Sequence, residues 1–426
     1  MDFTLEKGQI DKDATDFLKS LVTPNLLLSE QNWLIYGSKE GVFIETETGL
    51  HGFKAFPFSK LVKQSKDGKM IAAATEGKVL VSAAEDLVKR IDVKPIELPA
   101  EALRLYFSPK GRFLVVSEAD SAQVLDVQTR KVKLTVPSFL LPKSGGKSVW
   151  VSSDEQVVWV LSDPRRIRKF ELSNGEFRET KTFELGSGSR VSNFHLLAGD
   201  RLLILSVACR TLFFFDRELT PMFDLELPGV FSEAEVRLNK DKDRALVTLS
   251  DLIDATSKSY YGTSTLHLLD LKRFSLIEIP RVRGPLHCAA WRPDGHEILL
   301  ISGELSAHVV LADSNGRPKR SLGKLFRNTG QYSLDADYLW AAGMASLSGD
   351  MTVWDLNTFA RVGEMKTQQA SNVRFLPDGR RLLLSVEQQK LRNQNHFRLV
   401  AIDGSELRRK ELDDEQLFFV RPLRRS

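Results

Sequence analysis

Ser144-Gly145-Gly146-Lys147-Ser148 brings glycines, a lysine and serines together much as a phosphate-binding loop does. Such a loop cradles phosphate with backbone N–H groups and needs Gly-x-x-x-x-Gly-Lys-Ser/Thr at the opening of a helix. Here position 141 is leucine, and Val149-Trp150-Val151 has the character of a strand, so a solvated connector fits better. Gly186-Ser187-Gly188 lacks the third glycine of a dinucleotide fingerprint and reads as a turn. The seven histidines (51, 195, 267, 287, 296, 308, 396) show no i, i+4 helical pair and no neighbouring acid of a zinc site. His287 adjoins Cys288, but successive strand residues point to opposite faces, which favours a packed thiol and a hydrogen-bonded imidazole over a catalytic pair. No Gly-x-Ser-x-Gly elbow occurs. The expectation is a protein that is not an enzyme and uses no cofactor and no metal.

Composition narrows the class further. The 426 residues carry 60 Lys+Arg against 56 Asp+Glu, with 42% hydrophobic and 27% charged residues, as in an ordinary globular protein. No run approaches ~18 consecutive apolar residues, and Met1-Asp2-Phe3-Thr4-Leu5-Glu6 lacks the apolar core of a signal peptide. Cys209 and Cys288 alone build neither a disulfide framework nor a cysteine zinc site. A cytoplasmic protein without membrane contact, monomeric, is expected. Two basic clusters stand out: Arg165-Arg166-Ile167-Arg168-Lys169 and Arg408-Arg409-Lys410. From Arg374 to the end 12 Lys+Arg face 8 Asp+Glu, which equals the whole formal net charge of +4. A solvated edge explains such charge; contact with RNA phosphates is the functional reading. Few aromatic residues interleave with these cations, so base stacking is not indicated.

The elements that must position these residues follow a repeat. A polar turn leads directly into a short apolar run at Gly68, Gly111, Glu155, Asp200, Asp243, Gly295, Asp337 and Gly379, with spacings of 43, 44, 45, 43, 52, 42 and 42. A period in the low forties with β character is that of propeller blades. Asp-Gly and its substitutes supply the positive φ of tight hairpins. The runs that follow, such as Phe113-Leu114-Val115-Val116, do not alternate, as expected of strands covered on both faces. A second apolar run ending in an acid follows each anchor, as in Val124-Leu125-Asp126 and Val353-Trp354-Asp355, and two hairpins per unit make a four-stranded blade.

Eight anchors plus the unit from Leu26 to Ile44 give nine blades. The fold expected is all-β, a single nine-bladed WD40-like β-propeller of four-stranded antiparallel blades. Residues 1–21 form an N-terminal extension, with Asp11–Leu21 the one plausible helix. Residues 22–423 are the propeller, and 424–426 a tail. The isolated run Gln416-Leu417-Phe418-Phe419-Val420 is expected, at about 416–420, to pair with the first blade and remove an open edge. Two smaller propellers are the alternative, but no Pro/Gly/Ser-rich linker interrupts the period. Two units are long: the 52-residue spacing holds Asp251 to Gly262, and the last blade holds the excess Glu387 to His396. Rim insertions are either tolerated loops or carriers of function.

Several residues of the second half resemble one family. Lys258-Ser259-Tyr260-Tyr261-Gly262 with Thr265-Leu266-His267 is similar to the long-blade motif of eukaryotic translation initiation factor 2A. Gly284-Pro285-Leu286-His287, Trp291 and Pro293-Asp294-Gly295 resemble its next blade opening. Gly343 with Ser348 to Asp355, then Pro377-Asp378-Gly379 and Leu391-Arg392-Asn393, resemble its last two blades. The resemblance covers about 250–423. It implies a nine-bladed propeller and a noncatalytic role in translation: binding the small ribosomal subunit, with initiator tRNA and mRNA recruitment and other initiation factors as partners. Members of that family continue into a long basic tail; for this chain, ending at Ser426, a propeller without that tail is expected. The contact candidates are Lys258, Tyr260, Lys390, Arg392, Arg408, Arg409 and Lys410. The alternatives are a propeller like that of initiation factor 3 subunit b, a general WD-repeat scaffold for protein partners, or a propeller hydrolase with acids gathered in a central channel.

Overall fold

The computed structural model describes residues 33–38, 41–46, 49–52, 61–75, 77–84, 95–139, 147–251, 262–280, 284–304, 306–344, 349–367, 370–386, 395–412 and 419–423. The expected N-terminal extension, its helix and the short tail lie outside them, as do Leu26 to Leu28. Nine four-stranded sheets account for nearly all of the described residues. The first comprises Trp33–Ser38, Gly41–Thr46 and Gly49–Gly52, completed by Phe419–Leu423. The others follow in order over 61–99, 104–137, 149–184, 193–226, 233–278, 286–325, 329–366 and 372–412. Each is an antiparallel meander in which the fourth strand pairs on one side only. The number of sheets agrees with the nine blades expected, and the fold is an all-β propeller.

The chain divides into two compact units, residues 1–107 with 370–426, and residues 108–369. In the first, Phe419–Leu423 pairs antiparallel with Trp33–Ser38, with Trp33 opposite Leu423 and Gly37 opposite Phe419. A terminal strand thus completes the first sheet over Phe419–Leu423; residues 416–418 of the expected strand lie outside the described residues.

In the second unit the cores lie between successive sheets. Trp159, Leu161 and Ile167 of the fourth sheet pack with Phe194, Leu202 and Phe215 of the fifth. Leu203, Leu205 and Phe214 of the fifth meet Val236, Val247 and Leu269 of the sixth. Leu246 and Leu266 meet Ile298 and Leu300, and Leu299 and Leu311 meet Leu339 and Trp354. The second strands Phe113–Ser117, Val157–Leu161 and Leu202–Ser206 are buried at every position, which is why they show no alternation. Gly330 lets the seventh and eighth sheets approach: a Cβ there would lie 2.8 Å from Leu299 Cδ2 and 2.9 Å from Trp340 O.

The turn between first and second strands recurs in one form. At Ser108-Pro109-Lys110-Gly111, the Gly111 N–H donates to Ser108 O at 3.0 Å and the Ser108 N–H to Phe113 O at 2.8 Å. The Phe113 N–H donates to the Ser108 hydroxyl at 2.9 Å. The fourth residue must adopt positive φ. Gly68, Gly111, Gly295 and Gly379 do so, but so do Glu155 (65°), Asp200 (57°), Lys242 (54°) and Ala336 (65°). The fifth and seventh anchors were expected at Asp243 and Asp337; the left-handed residue is one earlier in each. Asn239 and Ser333, which open those turns, fix it three residues on, where the N–H of Lys242 or Ala336 closes the turn.

Two of the non-glycine residues tether neighbouring sheets. The Glu155 carboxylate accepts from the Ser108 hydroxyl and, at 2.7 Å, from the Lys110 N–H of the preceding turn. The Asp200 carboxylate accepts from the Ser153 N–H and hydroxyl, both at 3.0 Å. The turns between third and fourth strands explain the acid that ends each third run. Asp126, Asp270 and Asp355 accept the backbone N–H groups two and three residues on. These bonds lower their pKa, and for Asp126 and Asp270 they do so against the opposing effect of burial.

Two outcomes follow. Glu155→Ala removes the tether and keeps a side chain at positive φ, whereas Glu155→Gly removes both. Both variants should unfold at lower urea than the parent, with alanine the weaker by about 1–2 kcal/mol. Equal stability would mean that the left-handed residue carries no strain. The second concerns Asp154, where burial opposes the charge. Ser152, the Gln156 N–H and Arg217 nevertheless hold its pKa at about 2. A depressed carboxyl stabilises the fold above its unfolded value, and that contribution is lost as pH falls through about 2. With the Asp154 side chain 41% exposed, solvent screening cuts the effect to about 1 kcal/mol. Asp154→Asn should therefore be less stable than the parent at pH 6 and equal to it near pH 2 in a denaturation series.

Candidate nucleic-acid interface

The basic run entering the fourth sheet is neutralised. Arg165 and Arg166 both reach Glu184, at 3.1 and 3.3 Å, and Arg166 lies 3.6 Å from Asp163. Arg168 bonds Glu179, lowering that carboxyl's pKa. Burial works against the Lys169 charge, but bonds to Glu171 and Glu218 outweigh it and raise its pKa. The Lys169 side chain is 1% exposed. Alternating residues on Arg166–Ser173 face acids on Glu176–Glu184, so the cluster is a cross-strand network around a cleft of about 420 Å³. Its charge is spent within the protein.

Of the seven contact candidates, Lys258, Tyr260, Lys390 and Arg392 lie outside the described residues. Their segments join second to third strands in the sixth and ninth sheets. Arg408, Arg409 and Lys410 fall on Glu406–Leu412, the fourth strand of the ninth sheet, opposite Leu399, Arg398 and Phe397. Strand alternation puts Arg409 on the other face from its two neighbours. The Arg408 guanidinium carbon is 6.0 Å from the Phe397 ring centroid, and Arg398 is held by Glu406 at 2.5 Å. The three cations do not form one cluster.

A stronger cationic surface lies elsewhere. Residues 314–334 hold Arg317, Lys319, Arg320, Lys324 and Arg327 and no acid. The first four sit on or beside Pro318–Leu325, the fourth strand of the seventh sheet, and are exposed. No carboxylate among the described residues forms an ion pair with any of them. Register shifts on both sides of Val310 and Leu311 bend this strand pair. Arg320 stacks 3.8 Å over the ring of Phe359, which turns the eighth sheet at φ 59°. Arg361 of the eighth sheet, paired with Glu364 at 3.2 Å, also lies near Gly323. Phe326, 59% exposed, ends the stripe. Arg327 is the exception: buried, it donates to Thr352 Oγ1 at 3.0 Å and Phe326 O at 3.1 Å, and burial lowers its pKa.

Exposed cations along an edge strand are chemically suited to phosphate oxygens: they need shed no carboxylate partner to bind. Counting net charge by region missed them. The absence of any acid over 314–334 was the available signal.

Val149–Val151 is a strand, so Ser144 to Ser148 does not open a helix. His287 Nε2 lies 2.7 Å from Gly303 O, and the Cys288 thiol reaches Gly330 O at 3.7 Å, as structural groups do. Among the described residues no three His, Cys, Asp or Glu side chains group as metal ligands.

Residues 230–420 match the family model of eukaryotic translation initiation factor eIF2A. The eukaryotic translation initiation factor 2A of Schizosaccharomyces pombe is 23% identical over 376 residues, 84% of this chain and 64% of that protein. That of Dictyostelium discoideum is 27% identical over 194 residues, 45% of this chain and 31% of that protein. The match thus spans less than two thirds of either relative's length. A solved structure of a eukaryotic initiation factor superposes with a TM-score of 0.74, covering 92% of this chain and 98% of that one at 17% identity. The Dos1 propeller gives 0.51 over 83% and 92% at 12% identity. At such identities the structures speak for the propeller fold alone. The resemblance read in the second half of the sequence is thus matched over residues 230–420, where this chain is similar to the eukaryotic translation initiation factor 2A family.

Proposed function

We propose that this chain is a noncatalytic translation initiation factor of the cytoplasm whose propeller docks on RNA of the small ribosomal subunit, and there assists recruitment of initiator tRNA or mRNA. The observation that carries the reading is the unpaired cationic strand Pro318–Leu325, which lies inside the family-matched segment. The relatives named as initiation factors support the process, and the exposed cations supply the chemistry of contact. Phosphate binding by Arg317, Lys319, Arg320 and Lys324 positions a propeller on RNA without reading sequence. Arg408, Arg409, Lys410 and the inserted Lys258, Tyr260, Lys390 and Arg392 are further contacts in this proposal.

Co-sedimentation with purified small ribosomal subunits at ~0.1 M salt tests the reading. The parent chain should co-sediment, with an apparent affinity that falls steeply as salt rises. Lys319→Glu with Lys324→Glu should weaken binding and reduce the slope of log K against log salt by about 1 to 2. Arg165→Ala with Arg168→Ala, in the neutralised network, should leave that slope unchanged. Failure of the parent chain to sediment, or equal slopes for the parent and the Lys319/Lys324 variant, removes this surface from the proposal.

A further inference from the structure

The opposite of the cationic stripe lies on the fifth and sixth sheets. Residues 218–236 hold Glu218, Asp224, Glu226, Glu233 and Glu235 and not one lysine or arginine. Within them runs Pro221–Glu226, the fourth strand of the fifth sheet, exposed at five of six positions. Among the described residues, three of the eight exposed large hydrophobic ones fall between 222 and 230: Met222 (46%), Phe223 (42%) and Val230 (82%). Ile277 (60%), on the fourth strand of the sixth sheet, is a fourth. Phe274 joins the two strands into one surface, its ring centroid 5.4 Å from that of Phe223.

Fourth strands are open edges, and proteins guard such edges with charge, especially lysine. Lys131–Pro137, Glu176–Glu184, Pro318–Leu325, Arg361–Lys366 and Glu406–Leu412 all carry lysine or arginine. Pro221–Glu226, Ser275–Glu278 and Ile96–Pro99 carry none, and the first two expose methionine, phenylalanine and isoleucine instead. Among the described residues, no backbone hydrogen bond from residues 221–226 reaches beyond their own sheet. Asp224 and Glu226 form no ion pair there, and partial burial raises the Asp224 pKa.

We propose that Pro221–Glu226 is a docking edge for an extended protein segment in which lysine or arginine alternates with apolar residues, added as a fifth strand to the fifth sheet. Main-chain bonds to an open edge give affinity, and alternate side chains give specificity. Incoming apolar side chains on one face cover Phe223 and Ile277, and cations on the other face meet Asp224 and Glu226, which share their face with Met222. Asp224 and Glu226 favour a basic partner over nucleic acid, and Lys181 at Thr220 Oγ1 (3.3 Å) and Arg210 at Gly229 O (3.0 Å) bound this acidic edge at its two ends.

The probe is a fluorescein-labelled peptide of about twelve residues alternating lysine with valine or leucine, followed by anisotropy against the full chain. Binding should weaken as salt rises, and a counterpart with glutamate for lysine should not bind. Asp224→Lys with Glu226→Lys should weaken binding roughly tenfold, and Val230→Ser by roughly threefold, with melting temperatures unchanged. Hydrogen exchange of the amides of residues 221–226 should slow in the complex. Absence of binding at ~1 mM peptide overturns the proposal. So does equal binding by the charge-reversed variant, equal binding of the glutamate peptide, or unprotected amides in a formed complex.

Discussion

The second strand of a sheet in the 108–369 unit has no face left for water. Val157–Leu161 and Leu202–Ser206 are buried end to end, and that burial is available only when another sheet covers each side. At ~25 cal/mol per Å² of apolar surface, one uncovered five-residue strand of valine, leucine and tryptophan would forfeit several kcal/mol. An isolated meander of this kind is therefore not a stable body, and the sheets must stack or unfold together. The glycine at 330 and the carboxylate tethers from Glu155 to Ser108 and from Asp200 to Ser153 serve that stacking.

This dependence governs what could be read in the sequence. Covered strands lose their alternation, so the apolar runs were visible, and the turns between them recur because a type I turn followed by a left-handed residue leaves few options. The exact left-handed position was not visible at Lys242 and Ala336. Neither residue has the propensity for positive φ that glycine has, and their turns are set by Asn239 and Ser333 three residues earlier. The completing strand was legible as an isolated apolar run, and its pairing with Trp33 to Gly37 sets the register of Phe419–Leu423.

Charge was harder to read than fold. A run such as Arg165 to Lys169 looks cationic in the sequence because, beside the nearby Asp163 and Glu171, its partners Glu179, Glu184 and Glu218 are 11 to 49 positions away and meet it only across strands and turns. Arg408 to Lys410 look like one cluster, yet alternation sends neighbours to opposite faces. The stretch 314–334 looks diluted, with five cations in twenty-one residues, yet among the described residues none of them is in an ion pair, and the adjoining Asp313 accepts the Arg317 backbone N–H instead. Whether a charge faces outward unpaired depends on its partner strand, which is tertiary information.

The sign of those charges is the part that folding does not explain. An open edge is protected from unwanted pairing by charge of either sign, and an exposed ion pair adds only ~0–1 kcal/mol, so neither stability nor solubility requires like charges to be segregated. Interspersed signs would be the expected outcome of edge protection alone. Instead one edge strand of the 108–369 unit carries cations and no acid, and another carries acids and no cation with methionine and phenylalanine uncovered. Segregation raises the local potential at each edge and costs the fold a little through like-charge repulsion. Steering toward a phosphate-bearing partner at one edge and a basic partner at the other is a use for which that cost is recovered.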